Sequence, residues 1–193
     1  HCEVAKLKMD FMTRAQSLIH GDLHTGSIFI NEESTKVFDP EFCFYGPMGY
    51  DIGNVIANMI FAWANGDAAG AADFCKWVED VLVDVINMTK EKMEIYYDEH
   101  VTDTMCRNEL YKKYYMDTII EDTSAVAGLE LIRRIVGMAN VKDITTIADE
   151  AKRARAEKIC ITAAIDFIKN RSDKKCGKCF LKTLKDAIAE VDA

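Results

Sequence analysis

Two short acidic segments contain the residues of the chain that are best suited to chemistry. The segment HGDLHTGSIF (residues 20–29) carries Asp22, and the segment FDPEF (residues 38–42) carries Asp39 and Glu41. Clustered carboxylates repel one another unless a cation lies among them. Mg²⁺ is the natural cation here, because one or two carboxylates hold it while waters and phosphate groups complete its shell. The two segments therefore predict a magnesium site.

A β-hairpin would bring these two segments together. Residues 27–31 and 35–39 are short runs of β-forming residues, and the three residues between them predict a tight loop. Since a hairpin places its two ends side by side, we expect residue 22 to lie close to residues 39–41. The alternative is that the acidic residues belong to turns and a solvated loop. It fits less well, because the polar residues of both segments flank apolar strands.

The rest of the sequence predicts helices from the spacing of its apolar residues. A first helix is expected over residues 3–17, and Leu18 continues its apolar face. A second is expected over residues 51–65, ending at Gly66. Residues 40–50 contain two prolines and two glycines and predict a loop. Further helices are expected at 68–97, 106–120, 122–139, 145–170 and 178–191. The expected fold class is mainly α with a small β-hairpin.

The composition excludes some classes of partner. The 193 residues include 49% hydrophobic and 29% charged residues, and the formal net charge is −8. We expect no nucleic-acid partner, because phosphate contacts need clustered lysines and arginines. We expect no membrane partner either, because no apolar run has the length of a membrane span. A cytoplasmic protein is the simplest interpretation.

The seven cysteines are scattered, and an odd number cannot all pair within the chain. Reduced thiols are therefore the simplest interpretation. Only Cys176 and Cys179 form a CxxC motif, in KKCGKC (residues 174–179). A tetrahedral zinc site would need a second pair of ligands at suitable spacing, and the sequence has none. A metal-binding or redox role is the less favoured interpretation of this motif.

The two acidic segments resemble the methylthioribose kinases, small-molecule kinases of the aminoglycoside phosphotransferase-like, protein-kinase-like superfamily. Most members of that superfamily have an HxDxxxxN loop. The methylthioribose kinases have serine in place of the asparagine, together with a D-x-E metal motif. This chain has Ser27 and Asp39-Pro40-Glu41 at those positions. The similarity is strong over residues 18–63 and returns at LELIRRIVGMANV (residues 129–141).

The resemblance implies roles for the acidic residues. Asp22 would accept or orient the proton of the attacking sugar hydroxyl. Asp39 and Glu41 would hold Mg²⁺ against the phosphates of ATP. Because a serine hydroxyl is a weaker ligand than a carboxylate, Glu41 would compensate for the asparagine that Ser27 replaces.

The resemblance also implies roles for residues around that centre. Arg133 and Arg134 would contact the ribose substrate and the transferring phosphate, although a salt bridge to Glu130 is the alternative. His20 and Ser27 would support the loop. A further residue, Asp51, would either brace the loop through its backbone amides or cap a helix. The aromatic residues near the site, which are candidates for a methylthio pocket, are Phe42, Phe44 and Tyr45.

The resemblance finally implies an activity. Residues 1–193 would form the C-terminal, catalytic and substrate-binding lobe of a kinase-like domain. The reaction would transfer the γ-phosphate of ATP to the 1-hydroxyl of 5-methylthioribose, giving S-methyl-5-thioribose 1-phosphate in methionine salvage. The family acts as a homodimer. We expect an N-terminal ATP-binding lobe to be absent from this chain, and the chain alone to be inactive.

Two other functions are compatible with the residues. One is another small-molecule kinase of the same superfamily, acting on choline, an aminoglycoside or homoserine. These enzymes usually retain the loop asparagine, so Ser27 counts against them. The other is a helical binding module without catalysis, against which Asp22, Asp39 and Glu41 argue.

Overall fold

A computed structural model describes residues 2–193. The helices of this part of the chain, α1 to α7, are Cys2–Thr13, Gly49–Ala69, Ala72–His100, Glu109–Val136, Lys142–Thr145, Glu150–Lys169 and Gly177–Val191. The strands, β1 to β4, are Ser17–Ile19, Ile28–Ile30, Thr35–Val37 and Phe44–Gly46. Short 3-10 turns lie at Thr25–Ser27, Thr104–Cys106 and Arg171–Asp173. The expected fold class, mainly α with a small hairpin, is confirmed. None of the helices among the described residues combines the length and the apolar character needed to cross a membrane.

The predicted hairpin is present as β2 and β3. The two strands are antiparallel, with Ile28 opposite Val37. The turn between them is closed by Asn31, whose side-chain oxygen accepts the backbone N–H groups of Glu33 and Ser34 at 3.0 and 2.7 Å. The side-chain oxygen of Asn31 thus satisfies two backbone N–H groups of the turn.

A second small sheet was missed by the sequence analysis. Strand β1 pairs antiparallel with β4, and Ile19 lies opposite Phe44. The first helix therefore ends at Thr13 rather than at residue 17, and the expected loop at residues 40–50 contains a strand. Leu18 is 61% exposed and does not continue the helix face. Strands of three residues are too short for a recognisable alternation, and their pairing partner is distant in sequence.

The core is formed by α2, α3, α4, α6 and α7. The side chains of Ile56, Ile60 and Phe61 on α2 are fully buried. Helix α2 approaches α4 closely through Gly53, because a Cβ atom there would lie 2.7 Å from the carbonyl oxygen of Thr123. Any side chain at this position would force the two helices apart. Helix α2, which carries Asp51, is thereby packed closely against α4, which carries the arginine pair.

Several other predicted helix ends were wrong, and the helix expected at 145–170 begins only at Glu150, after the short helix α5. Helix α2 continues through Gly66 to Ala69, and Gly70 ends it in the left-handed conformation at φ 75°. The helices expected at 106–120 and 122–139 are one continuous helix, α4. The acidic pair at residues 121 and 122 interrupts the apolar pattern there. The helix tolerates the interruption because Arg14 donates to the buried carboxylate of Asp122 at 2.8 Å.

Candidate active site

The loop that carries Asp22 is fixed to the beginning of α2 by one aspartate. The carboxylate of Asp51 accepts the backbone N–H of His20 at 2.6 Å and that of Gly21 at 3.0 Å. Helix α2 begins at Gly49, with Met48 as its N-cap, so Asp51 lies in the first turn and is not the cap residue. Its carboxylate braces the loop, which is the first of the two alternatives that the sequence left open.

The two acidic segments lie against each other. The ring nitrogen Nε2 of His20 is 2.9 Å from the carbonyl oxygen of Phe38, and Nδ1 accepts the N–H of Asp22 at 3.3 Å. Because Nδ1 accepts a hydrogen bond, the ring proton is on Nε2, and Nε2 donates a hydrogen bond to the carbonyl oxygen of Phe38. The next residue, Gly21, has φ 85°, and a Cβ atom there would lie 2.2 Å from the carbonyl oxygen of Phe42. The backbone on both sides of Asp39 and Glu41 therefore contacts the Asp22 loop.

Asp39 has an unusual backbone conformation. Its φ of 67° makes it the one non-glycine residue with positive φ among residues 2–193. The left-handed region costs an L-residue roughly 1–2 kcal/mol, although aspartate tolerates it better than most residues. Such strain is concentrated at functional sites, where the surrounding structure imposes it. The conformation is therefore a reason to test Asp39 for a function.

The carboxylates of Asp39 and Glu41 are exposed and fit a cation that takes few protein ligands. Within the described residues, no lysine or arginine forms a salt bridge with either of them, and no three His, Cys, Asp or Glu side chains are grouped to hold a metal ion. Mg²⁺ does not require three protein ligands, because substrate phosphates and waters complete its octahedral shell. The donor set therefore suits Mg²⁺ bound together with a nucleotide better than a metal enclosed by protein.

Ser27 is directed into the loop rather than away from it. Its side chain is 4% exposed, and Oγ lies 3.1 Å from Nε2 of His24. Since Nδ1 of His24 accepts the N–H of Gly26 at 3.0 Å, Nε2 donates to the serine hydroxyl. The carbonyl oxygen of Ser27 accepts the N–H of Phe38 at 3.1 Å. Ser27 thus joins the 3-10 turn to the far strand of the hairpin, and His24 also lies 4.0 Å from the carboxylate of Asp22.

The arginine pair is held by one buried glutamate. Glu130 receives hydrogen bonds from Nε of Arg133 and from Nε of Arg134, both at 2.7 Å. Arg133 and Arg134 lie three and four residues after Glu130 on the same helix, so the side chains of both can reach its carboxylate. The salt bridge that the sequence offered as the alternative is therefore present. The salt bridge leaves part of the arginine pair accessible, since the side chain of Arg133 remains 51% exposed.

Charge connects this arginine pair with the Asp22 loop. The hydrogen bond from Arg133 to Glu130 raises the pKa of Arg133, burial opposes the increase, and the charges of Glu130, Tyr50 and Asp22 add to it. Burial raises the pKa of Tyr50, while a hydrogen bond with Asn54 and the charge of Arg133 counteract the increase. The carboxylate of Asp22, 111 positions earlier in the sequence (133 − 22), is thus near enough to contribute to the raised pKa of Arg133.

A cavity of about 310 Å³ lies beside Arg133 between α1, α2 and α4. Its lining is mostly apolar and includes Phe11, Tyr50 and Leu129. The charged residues that line it are Lys8, Asp10, Asp122, Glu130 and Arg133. Of the aromatic residues proposed from the sequence, Phe44 packs on Phe11 and Tyr50 at ring distances of 5.4 and 6.1 Å. The other two, Phe42 and Tyr45, are mostly exposed, and none of the three candidates lines the cavity itself.

Comparisons with known proteins support the family resemblance seen in the sequence. Residues 4–82 match the model of the phosphotransferase enzyme family. Methylthioribose kinase 1 of Oryza sativa subsp. japonica is 38% identical over 188 residues, an alignment that covers 88% of this chain and 43% of the relative. The methylthioribose kinase of Bacillus pumilus is 36% identical over 167 residues (86% and 41%), and that of Escherichia coli is 34% identical over 180 residues (86% and 43%). The resemblance to the methylthioribose kinases is confirmed. The chain spans less than half the length of these curated relatives.

Several residues of the site escaped the sequence analysis. His24 holds Ser27 and approaches Asp22, but the sequence left its role open. Phe11, Tyr50 and Asn54 line the cavity, yet their spacing on helices is that of ordinary core residues. The strongest available signal was Tyr50, which lies directly before the loop-bracing Asp51.

Proposed function

We propose that this chain is the catalytic and substrate-binding lobe of an ATP-dependent kinase that phosphorylates 5-methylthioribose at its 1-hydroxyl. The observation that carries the proposal is the contact between the Asp22 loop and the Asp39–Glu41 segment through His20 and Gly21. That contact supports the proposal because it brings the backbone of the Asp22 loop against the segment that carries Asp39 and Glu41. The substrate is inferred from the relatives, each of which is named a methylthioribose kinase.

In this proposal, Asp22 orients the attacking hydroxyl and accepts its proton. The residue is half-buried, and its backbone N–H donates to the ring of His20, while the carboxylate of Asp51 holds the two residues before it. A positioned proton acceptor of this kind contributes roughly 10²- to 10⁴-fold in rate. The hydrogen bonds to the loop would therefore contribute to the rate, because they fix the position of the carboxylate that accepts the proton.

Asp39 and Glu41 would hold Mg²⁺, which when bound neutralises the charge of the ATP phosphates. Ser27 is a poor candidate ligand, because its hydroxyl is buried and receives a hydrogen bond from His24. Its position supports the idea that a glutamate replaces the asparagine ligand of related kinases. A carboxylate at residue 41 also adds a negative charge that an asparagine would lack.

Arg133 and Arg134 would bind the sugar and the phosphate that is being transferred. Glu130 orients both guanidinium groups, because it holds the Nε atom of each. Guanidinium is well suited to phosphate oxygens, since its donors form a planar fork. The neighbouring apolar cavity would receive the methylthio end of the substrate.

The remaining parts of the proposal rest on the relatives rather than on the geometry. ATP would be the phosphate donor, and sequence outside residues 1–193 would supply the lobe that anchors it. The protein would act as a cytoplasmic homodimer in methionine salvage. The chain alone would then show little or no turnover.

The test is a kinase assay of the full-length gene product that contains these residues. Purified protein is assayed with ATP, Mg²⁺ and either 5-methylthioribose, choline, an aminoglycoside or homoserine. We expect turnover of 5-methylthioribose and a loss of roughly 10²- to 10⁴-fold in kcat for Asp22→Asn. Preference for another acceptor would replace the substrate assignment. Binding of Mg²⁺ or sugar without any turnover would favour the non-catalytic module.

A matched pair of variants tests the assignment of the metal ligand. Glu41→Gln keeps the size of the side chain but removes its charge, so we expect activity at limiting Mg²⁺ to fall roughly 100-fold. Ser27→Ala removes one internal neutral hydrogen bond and is expected to stay within about fivefold of the wild type. If Ser27→Ala is the damaging change and Glu41→Gln is silent, the exchange of ligands is refuted.

A further inference from the structure

The CxxC motif has no part in the proposed function, yet the structure brings its two sulfurs together. Cys176 is the N-cap residue of α7, and Cys179 lies in the first turn of that helix. Their Sγ atoms are 3.1 Å apart, and both thiols are free and partly accessible. Among the described residues, no other two cysteines are in hydrogen-bonding contact.

The turn between the two cysteines is held firmly against α3. The backbone N–H of Gly177 donates to the side-chain oxygen of Asn87 at 2.9 Å. A Cβ atom on Gly177 would lie 2.3 Å from the carbonyl oxygen of Val83, so this residue fits tightly. The backbone thus fixes the spacing of the sulfurs. A disulfide bond of about 2.05 Å is within reach of small side-chain rotations.

The surroundings of the pair favour a thiolate. Burial acts to raise the pKa of Cys179, but the contact with Cys176, the backbone N–H groups of Lys175 and Cys176, and the charge of Lys174 lower it below its ordinary value. The positive end of α7 acts in the same direction. The fully buried Cys160 is the opposite case, because burial raises the pKa of its thiol to about 12.

We propose that Cys176 and Cys179 form a reversible dithiol–disulfide couple that exchanges with low-molecular-weight disulfides such as oxidised glutathione. The thiolate of Cys179 attacks one sulfur of the small disulfide, whose S–S bond breaks and releases one thiolate. Cys176 loses its proton and attacks the sulfur of Cys179 in the mixed disulfide, which releases the second thiolate. The two cysteines are oxidised, one small disulfide is reduced to two thiols, and the two cysteine protons end on those thiols.

The couple is separate from the candidate active site. Helix α7 packs on α3 and α6, and neither of these helices carries Asp22, Asp39 or the arginine pair. The proposal therefore does not rest on the kinase function, and either can fail without the other.

The experiment uses the full-length gene product incubated in glutathione buffers of increasing oxidised fraction. Free thiols are trapped with an alkylating reagent, and each cysteine is located by peptide mass mapping. We expect Cys176 and Cys179 to become protected together as an intramolecular disulfide that dithiothreitol reverses. Cys176→Ser is expected to retain glutathione on Cys179 instead. Alkylation of Cys179 near neutral pH should be roughly 3- to 10-fold faster than that of the solitary exposed Cys43.

Three outcomes would overturn the proposal. The first is that the wild-type protein carries separate glutathione groups on the two cysteines, or none at all. The second is that Cys179 is alkylated no faster than Cys43. The third is that one equivalent of zinc per chain is found by elemental analysis and protects both thiols, which would make the motif a metal site. Circular dichroism of Cys176→Ser would verify that the helix content is retained.

Discussion

Two buried carboxylates on α4, Asp122 and Glu130, are each bound to arginine, yet their pKa values move in opposite directions. Burial raises the pKa of Asp122, and the bond from Arg14 only partly offsets the increase. Burial also acts to raise the pKa of Glu130, but the hydrogen bonds from Arg133 and Arg134 lower it below its ordinary value. Both side chains are 5% exposed, so depth of burial does not explain the difference.

The neighbouring charges and hydrogen bonds explain the difference. Arg14, which binds Asp122, comes from the segment after α1, and the nearby Arg171 lies 3.8 Å away and is shared with Asp10. A second carboxylate in the same cluster raises the pKa of Asp122 further. This cluster ties distant parts of the chain together. Glu130 binds two arginines of its own helix, and that pairing holds donors at the rim of the cavity.

The largest expected effect comes from breaking the cluster around Asp122. Arg14→Met leaves a buried carboxylate without its main partner, and we expect the free energy of unfolding to fall by about 3 kcal/mol. Chemical denaturation of both proteins would measure the difference. The control is Arg153→Met, which removes an exposed pair with Glu157 and should change stability by less than about 0.5 kcal/mol. Equal effects of the two variants would contradict an assembling role for this cluster.

A smaller effect on stability is expected at Glu130. Glu130→Gln weakens local hydrogen bonds to two arginines that can turn towards solvent, so a loss of about 1–2 kcal/mol is expected. The functional effect should be larger, because both guanidinium groups lose their orientation. In the full-length gene product, the KM for the sugar is expected to rise roughly tenfold. Glu157→Gln serves as the control, and an unchanged KM in Glu130→Gln would show that the arginines do not depend on this carboxylate.

The smallest effects are in the dependence of stability on pH. The lowered pKa of Glu130 means that its stabilisation is present above the ordinary value of 4.5 and disappears as pH falls through the folded value. Asp122 has a raised pKa, so the folded protein takes up its proton first and gains stability as pH falls towards the ordinary value of 3.8. Unfolding curves in this pH range should show the wild type losing its advantage over Glu130→Gln but gaining relative to Asp122→Asn. Parallel curves for all three proteins would be inconsistent with opposite shifts.

The parts of the molecule that could be predicted from sequence were those determined by local pattern. The hairpin followed from two β-forming runs and a short loop, and it implied that Asp22 and residues 39–41 lie close together. The pairing of β1 with β4 was not predictable, because each strand has only three residues and its partner is distant. The continuity of α4 was missed because the acidic residues 121 and 122 interrupt its apolar pattern. The sequence could not show that Arg14 neutralises Asp122, since that contact spans 108 positions.

The exposure of the hairpin has a consequence for how the site is ordered. From residue 22 to residue 43, only Ser27 is buried, whereas α2 and α4 are packed into the core. A segment with so little buried surface opens at low free energy, so its amide hydrogens should exchange with solvent far sooner than those of the two helices. The carboxylates of Asp39 and Glu41 thus belong to a separate, weakly held cooperative unit. A ligand that binds these carboxylates must order this unit at a cost in free energy. Its affinity therefore depends on the rigidity of the hairpin as well as on the strength of the contacts.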